Sequence, residues 1–331
     1  MWYVRKERQF RVALFFSAAA LAGAFGGILA YGIAYMDGVG GAAGWQWIFI
    51  LEGILTVIIG AFAYLFIYNY PDTAKFLKPA ERHFIQKRLA ADSDASENEG
   101  FTWGNVMKAL ADPKVWLYCA GFHFMSLPLY TLSLFLPSII ENLGYTSAQA
   151  QLLTIPPYAL AAVLTVVVAW TSEKVGRRAP FMITTATLAM IGYCILVSNP
   201  DPIARPGVSY VGTFFAAAGI YPTVGLVLSW PAVNVGGQTK RAVANGLQIS
   251  IGNCGAVIGT QVYRATDSPK YTRGHAIALG YCVVSVCVTL TTWLVLSRAN
   301  KKKDAEAPGE GTVGGAGGLK GDEDPRWRFM R

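Results

Sequence analysis

Long apolar blocks alternate with polar connectors along this chain. The blocks at 12–35, 47–70, 115–140, 152–171, 179–198, 208–230, 242–263 and 276–296 are each about 20 residues or longer, enough for an α-helix to cross roughly 30 Å of hydrocarbon at about 1.5 Å per residue. A soluble core would give shorter apolar runs, broken by polar faces. The pattern therefore predicts an all-α integral membrane protein with eight transmembrane helices. One long interruption, 71–113, is charged throughout and includes the acidic run DSDASENE at 92–99; it parts two spans from six. This division predicts a two-helix remnant of a bundle at 1–70, a central loop at 71–113, a six-helix bundle at 114–298 and a tail at 299–331. The tail is lysine-rich, then glycine-rich, and is expected to be disordered for want of apolar residues to offset ordering entropy.

Composition agrees, with 53% hydrophobic and 15% charged residues against about 25% charged in an average soluble domain. The net charge of +8 invites a nucleic-acid reading, but its placement excludes one. Of the 28 Lys and Arg residues, 24 lie before the first span, between the second and third spans at 71–114, at 172–178, at 231–241 or after the last span from Arg298 on. The intervening loops hold only Arg205, Arg264, Lys270 and Arg273. Basic residues accumulate on the cytoplasmic side, so both ends of the chain and the central loop are expected there. The five cysteines lie inside apolar blocks without CxxC spacing, which argues against a disulfide framework or a zinc site.

Several stretches together resemble one family. GWQWIFILEG at 44–53 is similar to the entry of the sixth helix in major facilitator superfamily transporters. PDTAKFLKPAERHFIQKRL at 71–89, YTLSLFLPSII at 130–140 and GLQISIGNCGAVIG at 246–259 resemble its fungal allantoate permease-like branch, symporters of organic anions. The resemblance implies a fold of two six-helix bundles, with these spans standing for helices five to twelve and Met1 for an internal methionine. A weak internal repeat accompanies it, because Arg11 stands twelve residues before Gly23-x-x-Gly26, as Lys240 does before Gly252-x-x-Gly255. The loop SEKVGRR at 172–178 resembles the superfamily signature G-x-x-x-D-R-x-G-R-R, with Glu173 for the acid, Lys174 for the first base, and Gly176, Arg177 and Arg178 matching. Ala169 replaces the leading glycine. The resemblance implies a charge-and-cap cluster that ties two helix ends and is remade as the halves rock; an ordinary positive-inside turn is the plainer reading.

Polar residues inside spans are the remaining candidates, because a mid-bilayer charge costs about 2.5–3.5 kcal/mol on insertion scales. Glu52 is the acid clearly inside a span; a structural role near the helix start is favoured over coupling. His123, Ser126, Tyr130, Ser133 and Pro137 fall on one helical face, either a substrate path or a packing seam. Asn245, Gln248 and Asn253 place three carboxamides on the seventh span, where they need a partner helix or a ligand. Pro156, Pro157, Pro222 and Pro231 are expected kinks. With three scattered histidines, no HExxH and no Walker glycine loop, neither catalysis, a metal, a cofactor nor ATP-driven transport is indicated.

The combined expectation is a secondary transporter in the plasma membrane. It moves a small organic anion or vitamin-like carboxylate with a coupling proton by alternating access. The alternative is a truncated, non-transporting product of such a gene.

Overall fold

The computed structural model describes residues 2–4, 7–68, 70–90, 101–306, 322 and 327–331. Among these there is no strand. Eleven α-helices follow one another: α1 (Arg8–Ala34), α2 (Gly44–Phe66), α3 (Pro79–Ala90), α4 (Trp103–Ala111), α5 (Pro113–Glu141), α6 (Ser147–Leu153), α7 (Ile155–Val175), α8 (Ala179–Ser198), α9 (Pro206–Asn234), α10 (Gln238–Gly259) and α11 (Thr272–Glu306). Seven spans among the described residues are long and apolar enough to cross a membrane, with α6 and α7 counted as one. The eighth predicted span is α10, a 22-residue helix that is long enough. It is less apolar because Gln238, Lys240, Arg241, Asn245, Gln248 and Asn253 all lie on it.

The helices pair by close backbone approach, the mode expected where lipid removes any hydrophobic drive between them. In the α8–α9 pair, a Cβ on Gly192 would strike the backbone of Gly212 and Ala216, and one on Gly219 that of Thr185 and Ala189. The Thr185 and Thr223 hydroxyls bond across that seam at 2.7 Å. The α5–α10 pair works alike, with Gly252 under the Phe122 ring and Gly255 against the His123 carbonyl. On α1, Gly23 lies under the Tyr158 ring of α7 and Gly27 against the Gln151 carbonyl. Of the four glycines in the twelve-residue repeat, Gly23, Gly252 and Gly255 meet a partner helix, whereas a Cβ on Gly26 would meet nothing within 4 Å. By contrast α2 packs against α1 and has no buried residue.

Several expectations need correction. Pro156 and Pro157 do not kink a continuous helix; they occupy the first turn of α7, where a missing N–H costs nothing, and the chain breaks at Thr154 between α6 and α7. The central loop contains α3 and α4, and Asp112 accepts from Lys114 N–H at 3.0 Å to start α5. The acidic run at 92–99 lies outside the described residues, as do Arg5 and Lys6. The tail is ordered in part: α11 continues to Glu306, and residues 327–331 pack on the bundle with Trp327 and Phe329 buried. Residues 307–321, the glycine-rich remainder of that expectation, are outside the described set.

Candidate functional site

The sequence-picked polar residues separate into different surroundings. His123 Nδ1 lies 3.2 Å from the Ile251 carbonyl of α10. Gln248 is buried, and its Nε2 donates to the Val227 carbonyl of α9 at 3.0 Å and toward the Tyr118 carbonyl of α5 at 3.4 Å. Both side chains therefore bond across the α5–α9–α10 seam. The Oδ1 atoms of Asn245 and Asn253 and the Ser126 hydroxyl are buried with no hydrogen-bond partner among the described residues. Tyr130 is partly exposed. Glu52 is exposed on α2, and its carbonyl, not its carboxylate, accepts from Thr56.

Four helices meet at a cluster of which the sequence pattern singled out only Ser133. Ser133 Oγ of α5 is 2.9 Å from the Tyr221 hydroxyl of α9, and the Tyr158 hydroxyl of α7 points at the Ser133 carbonyl at 3.5 Å. The Tyr158 and Tyr221 rings stand edge to face at 5.8 Å. Phe16 of α1 reaches Tyr221 at 6.4 Å. Aromatic rings with polar tips suit such a place, since each hydroxyl can serve a neighbour or a ligand. The sequence signal was available, because Tyr158 follows Pro157 and Tyr221 precedes Pro222. A tyrosine is weakly polar, however, and a hydropathy scan passes over it.

A second constellation lies at the end assigned to the cytoplasm. Glu173, in the last turn of α7, accepts from the Phe10 N–H of α1 at 3.0 Å. The first turn of α1 leaves its N–H groups open, its N-cap residue Glu7 supplies no side-chain cap, and a carboxylate there complements the helix dipole. Gly176 ends α7 with φ +68°, the left-handed stop that glycine adopts without penalty. Lys174 stacks its ammonium 3.7 Å from the Trp170 ring centroid, and Ser172 Oγ donates to the Arg177 carbonyl at 2.8 Å. Arg178 is buried, donating to the Met330 Sδ at 3.5 Å and by its N–H to the Arg331 carbonyl. The loop thus bonds both to the start of α1 and to residues 330–331.

At the opposite end, buried His275 meets the Tyr263 hydroxyl at 2.8 Å. Asn142 bonds Tyr271 and Ser268 at 2.8 Å each. These contacts fasten α5, α11 and the loop before α11. No group of three or more His, Cys, Asp or Glu able to hold a metal occurs among the described residues.

Comparison with known proteins adds a family match. Residues 1–260 match the model of the Major Facilitator Superfamily. An uncharacterized transporter of Schizosaccharomyces pombe is 34% identical over 333 residues, covering all of this chain and 65% of the relative. An MFS-type transporter of Penicillium expansum, cnsO, is 33% identical over 344 residues, covering all of this chain and 66% of the relative. The high-affinity nicotinic acid transporter of Saccharomyces cerevisiae is 31% identical over 304 residues, 92% of this chain and 56% of that protein. The chain thus spans less than two thirds of the length of these relatives.

Proposed function

The chain belongs to the Major Facilitator Superfamily, and we propose that it works as a secondary transporter of a small organic anion, carried with a proton by alternating access in the plasma membrane. One observation carries this reading: α1 meets the C-terminal helices at two depths through different chemistry. At one depth Gly23 abuts the Tyr158 ring. At the cytoplasmic end Glu173 caps Phe10. A hydrogen-bonded cap can be broken and remade, while a glycine-on-ring contact lets two surfaces slide, as rocking about a central site requires. The tyrosine cluster beside the Gly23–Tyr158 contact is the substrate path this reading favours. Ser133, Tyr158 and Tyr221 offer hydroxyl donors for a carboxylate, and the two rings offer faces for a flat substrate. A relative named for nicotinic acid, an aromatic carboxylate, supports that class. The family resemblance of the sequence supports the proton. The test is uptake of radiolabelled organic anions, nicotinate among them, at two external pH values. The reading predicts greater uptake at acid pH; equal uptake at both removes the proton.

The bareness of α2 favours a second reading. Its 23 residues include none that is buried, and Ile54, Leu55, Val57, Ile58 and Ile59 are all exposed. Such a face serves equally a chain that acts only when paired with further helices of a full-length relative. Co-purification with such a relative, together with uptake that depends on it, distinguishes the two.

A further inference from the structure

The cytoplasmic end of the bundle holds a short stretch of backbone in a built receptacle. Asn234, at the end of α9, accepts from the Met330 N–H at 2.7 Å and donates to the Met330 carbonyl at 2.9 Å. Asn300, on α11, does the same for Phe329, accepting at 2.8 Å and donating at 2.9 Å. Two carboxamides therefore each read both main-chain groups of one residue. Trp230 Nε1 adds a third bond to the Met330 carbonyl at 2.9 Å. Trp327 and Phe329 are 3% and 4% exposed, and the ammonium groups of Lys114 and Lys303 stand 4.6 and 4.9 Å from the Phe329 ring centroid. Nearby, Asp322 completes a buried cluster: Lys240 Nζ bonds Asp322 at 2.8 Å and Asp112 at 2.9 Å, with Lys114 3.5 and 3.4 Å from the same two carboxylates.

We propose that the cytoplasmic ends of α5, α8, α9, α10 and α11 form a peptide-binding site, and that the chain's own segment 327–331, with Asp322, occupies it as a detachable strap. Paired recognition of main-chain N–H and C=O together with pockets for aromatic side chains is how domains hold an extended peptide. Ordinary helix ends need no such arrangement. The class of ligand follows from the contacts: a Trp-x-Phe segment preceded by a carboxylate. The site has a consequence for the cap described above. Arg178, which follows directly on the Glu173–Arg177 turn, donates to Met330 and Arg331, so a seated strap fixes the loop that holds α1. The inference does not depend on which molecule is transported.

The experiment uses the full chain with its native cysteines replaced, in two arms. In the first, Asn234→Cys and Met330→Cys are oxidised together. Rapid cross-linking is expected, slowed at least fivefold by adding Phe329→Ala. No cross-link, or a rate unaffected by Phe329→Ala, overturns the strap. In the second, a full chain carrying Trp327→Ala and Phe329→Ala, its own strap thereby released, is offered a fluorescent peptide of residues 322–331. Saturable binding at least tenfold tighter than to the parent chain is expected, because the parent's segment competes at the high effective concentration of a tethered ligand. Equal binding to both chains, or none to either, overturns the peptide site.

Discussion

Glu173 and Phe10 are separated by 163 residues, yet the carboxylate of one accepts the backbone N–H of the other at 3.0 Å. The bond joins the last turn of α7 to the first turn of α1, and so the C-terminal bundle to the helix before the central loop. A side-chain cap typically contributes about 0.5–2 kcal/mol, with a further 0.3–1 kcal/mol or so from a carboxylate on the helix dipole. Glu173→Ala should therefore lower the melting midpoint in detergent and raise labelling of a cysteine placed near the start of α1. Glu173→Gln should recover part of the loss, because it retains an acceptor without the charge. If alanine leaves both readouts unchanged, the cap has no energetic weight.

Glycines on α10 give a contrast within one helix. A Cβ at Gly255 would overlap the His123 carbonyl, which cannot swing away as a side chain tip can. Gly255→Ala should cost about 1–3 kcal/mol, the range for overpacking. At Gly246 a Cβ meets nothing within 4 Å, so alanine there should be neutral or stabilising by up to about 1 kcal/mol through helix propensity. Thermal unfolding of the two variants side by side checks this. Equal behaviour would count against close α5–α10 packing.

Gln248 is predicted to act as a structural tie. Replacing it with leucine leaves the Val227 carbonyl without its 3.0 Å donor. Interhelical bonds of this kind average about 0.6 kcal/mol and reach about 1.7, so a modest drop in midpoint is expected, with no change in the apparent affinity for a transported anion. A selective loss of affinity would move Gln248 into the substrate path.

Tyr221→Phe removes the partner of Ser133 while leaving the ring beside Tyr158. If the tyrosine cluster handles substrate, uptake should fall severalfold with little change in melting midpoint. A change in stability alone, with uptake intact, would make the cluster a packing feature.

The charge cluster around Asp112 predicts a pH response. Burial alone would push the Asp112 carboxyl up, but the Lys114 charge and the Lys240 hydrogen bond outweigh it and hold the group below its ordinary value. A depressed folded value means that its stabilising effect is complete above the usual carboxylate range, near pH 4. The effect is lost as pH falls through the folded value below that range. The melting midpoint in detergent should be nearly the same at pH 7 and pH 5 and fall below pH 4, and Asp112→Asn should blunt that acid-side loss. A fall already between pH 7 and pH 5 would assign the response to other groups.

The sequence was a good guide wherever length and apolarity decide the outcome. The block at 179–198 coincides with α8 (Ala179–Ser198), and Glu173, Gly176 and Arg178 all take up specific contacts. It was a poor guide to which neighbour a polar side chain meets. His123 and Ser133 share a helical face, yet one turns to α10 and the other to α9, a difference set by tertiary packing. The start of α10 lies four residues ahead of the predicted span because Lys240 finds Asp112 and Asp322 there and need not stay in water. The strap was hidden because its aromatic pair is short and follows a glycine-rich stretch whose composition dominates any window average.

The account stands or falls on α1 moving against the C-terminal bundle during transport. Phe10→Cys with Glu173→Cys in a chain cleared of other cysteines allows the two to be joined by oxidation and freed by reduction, with anion uptake followed throughout. The account predicts that oxidation stops uptake and reductant restores it. Uptake that continues undiminished across a fully formed 10–173 cross-link would contradict it.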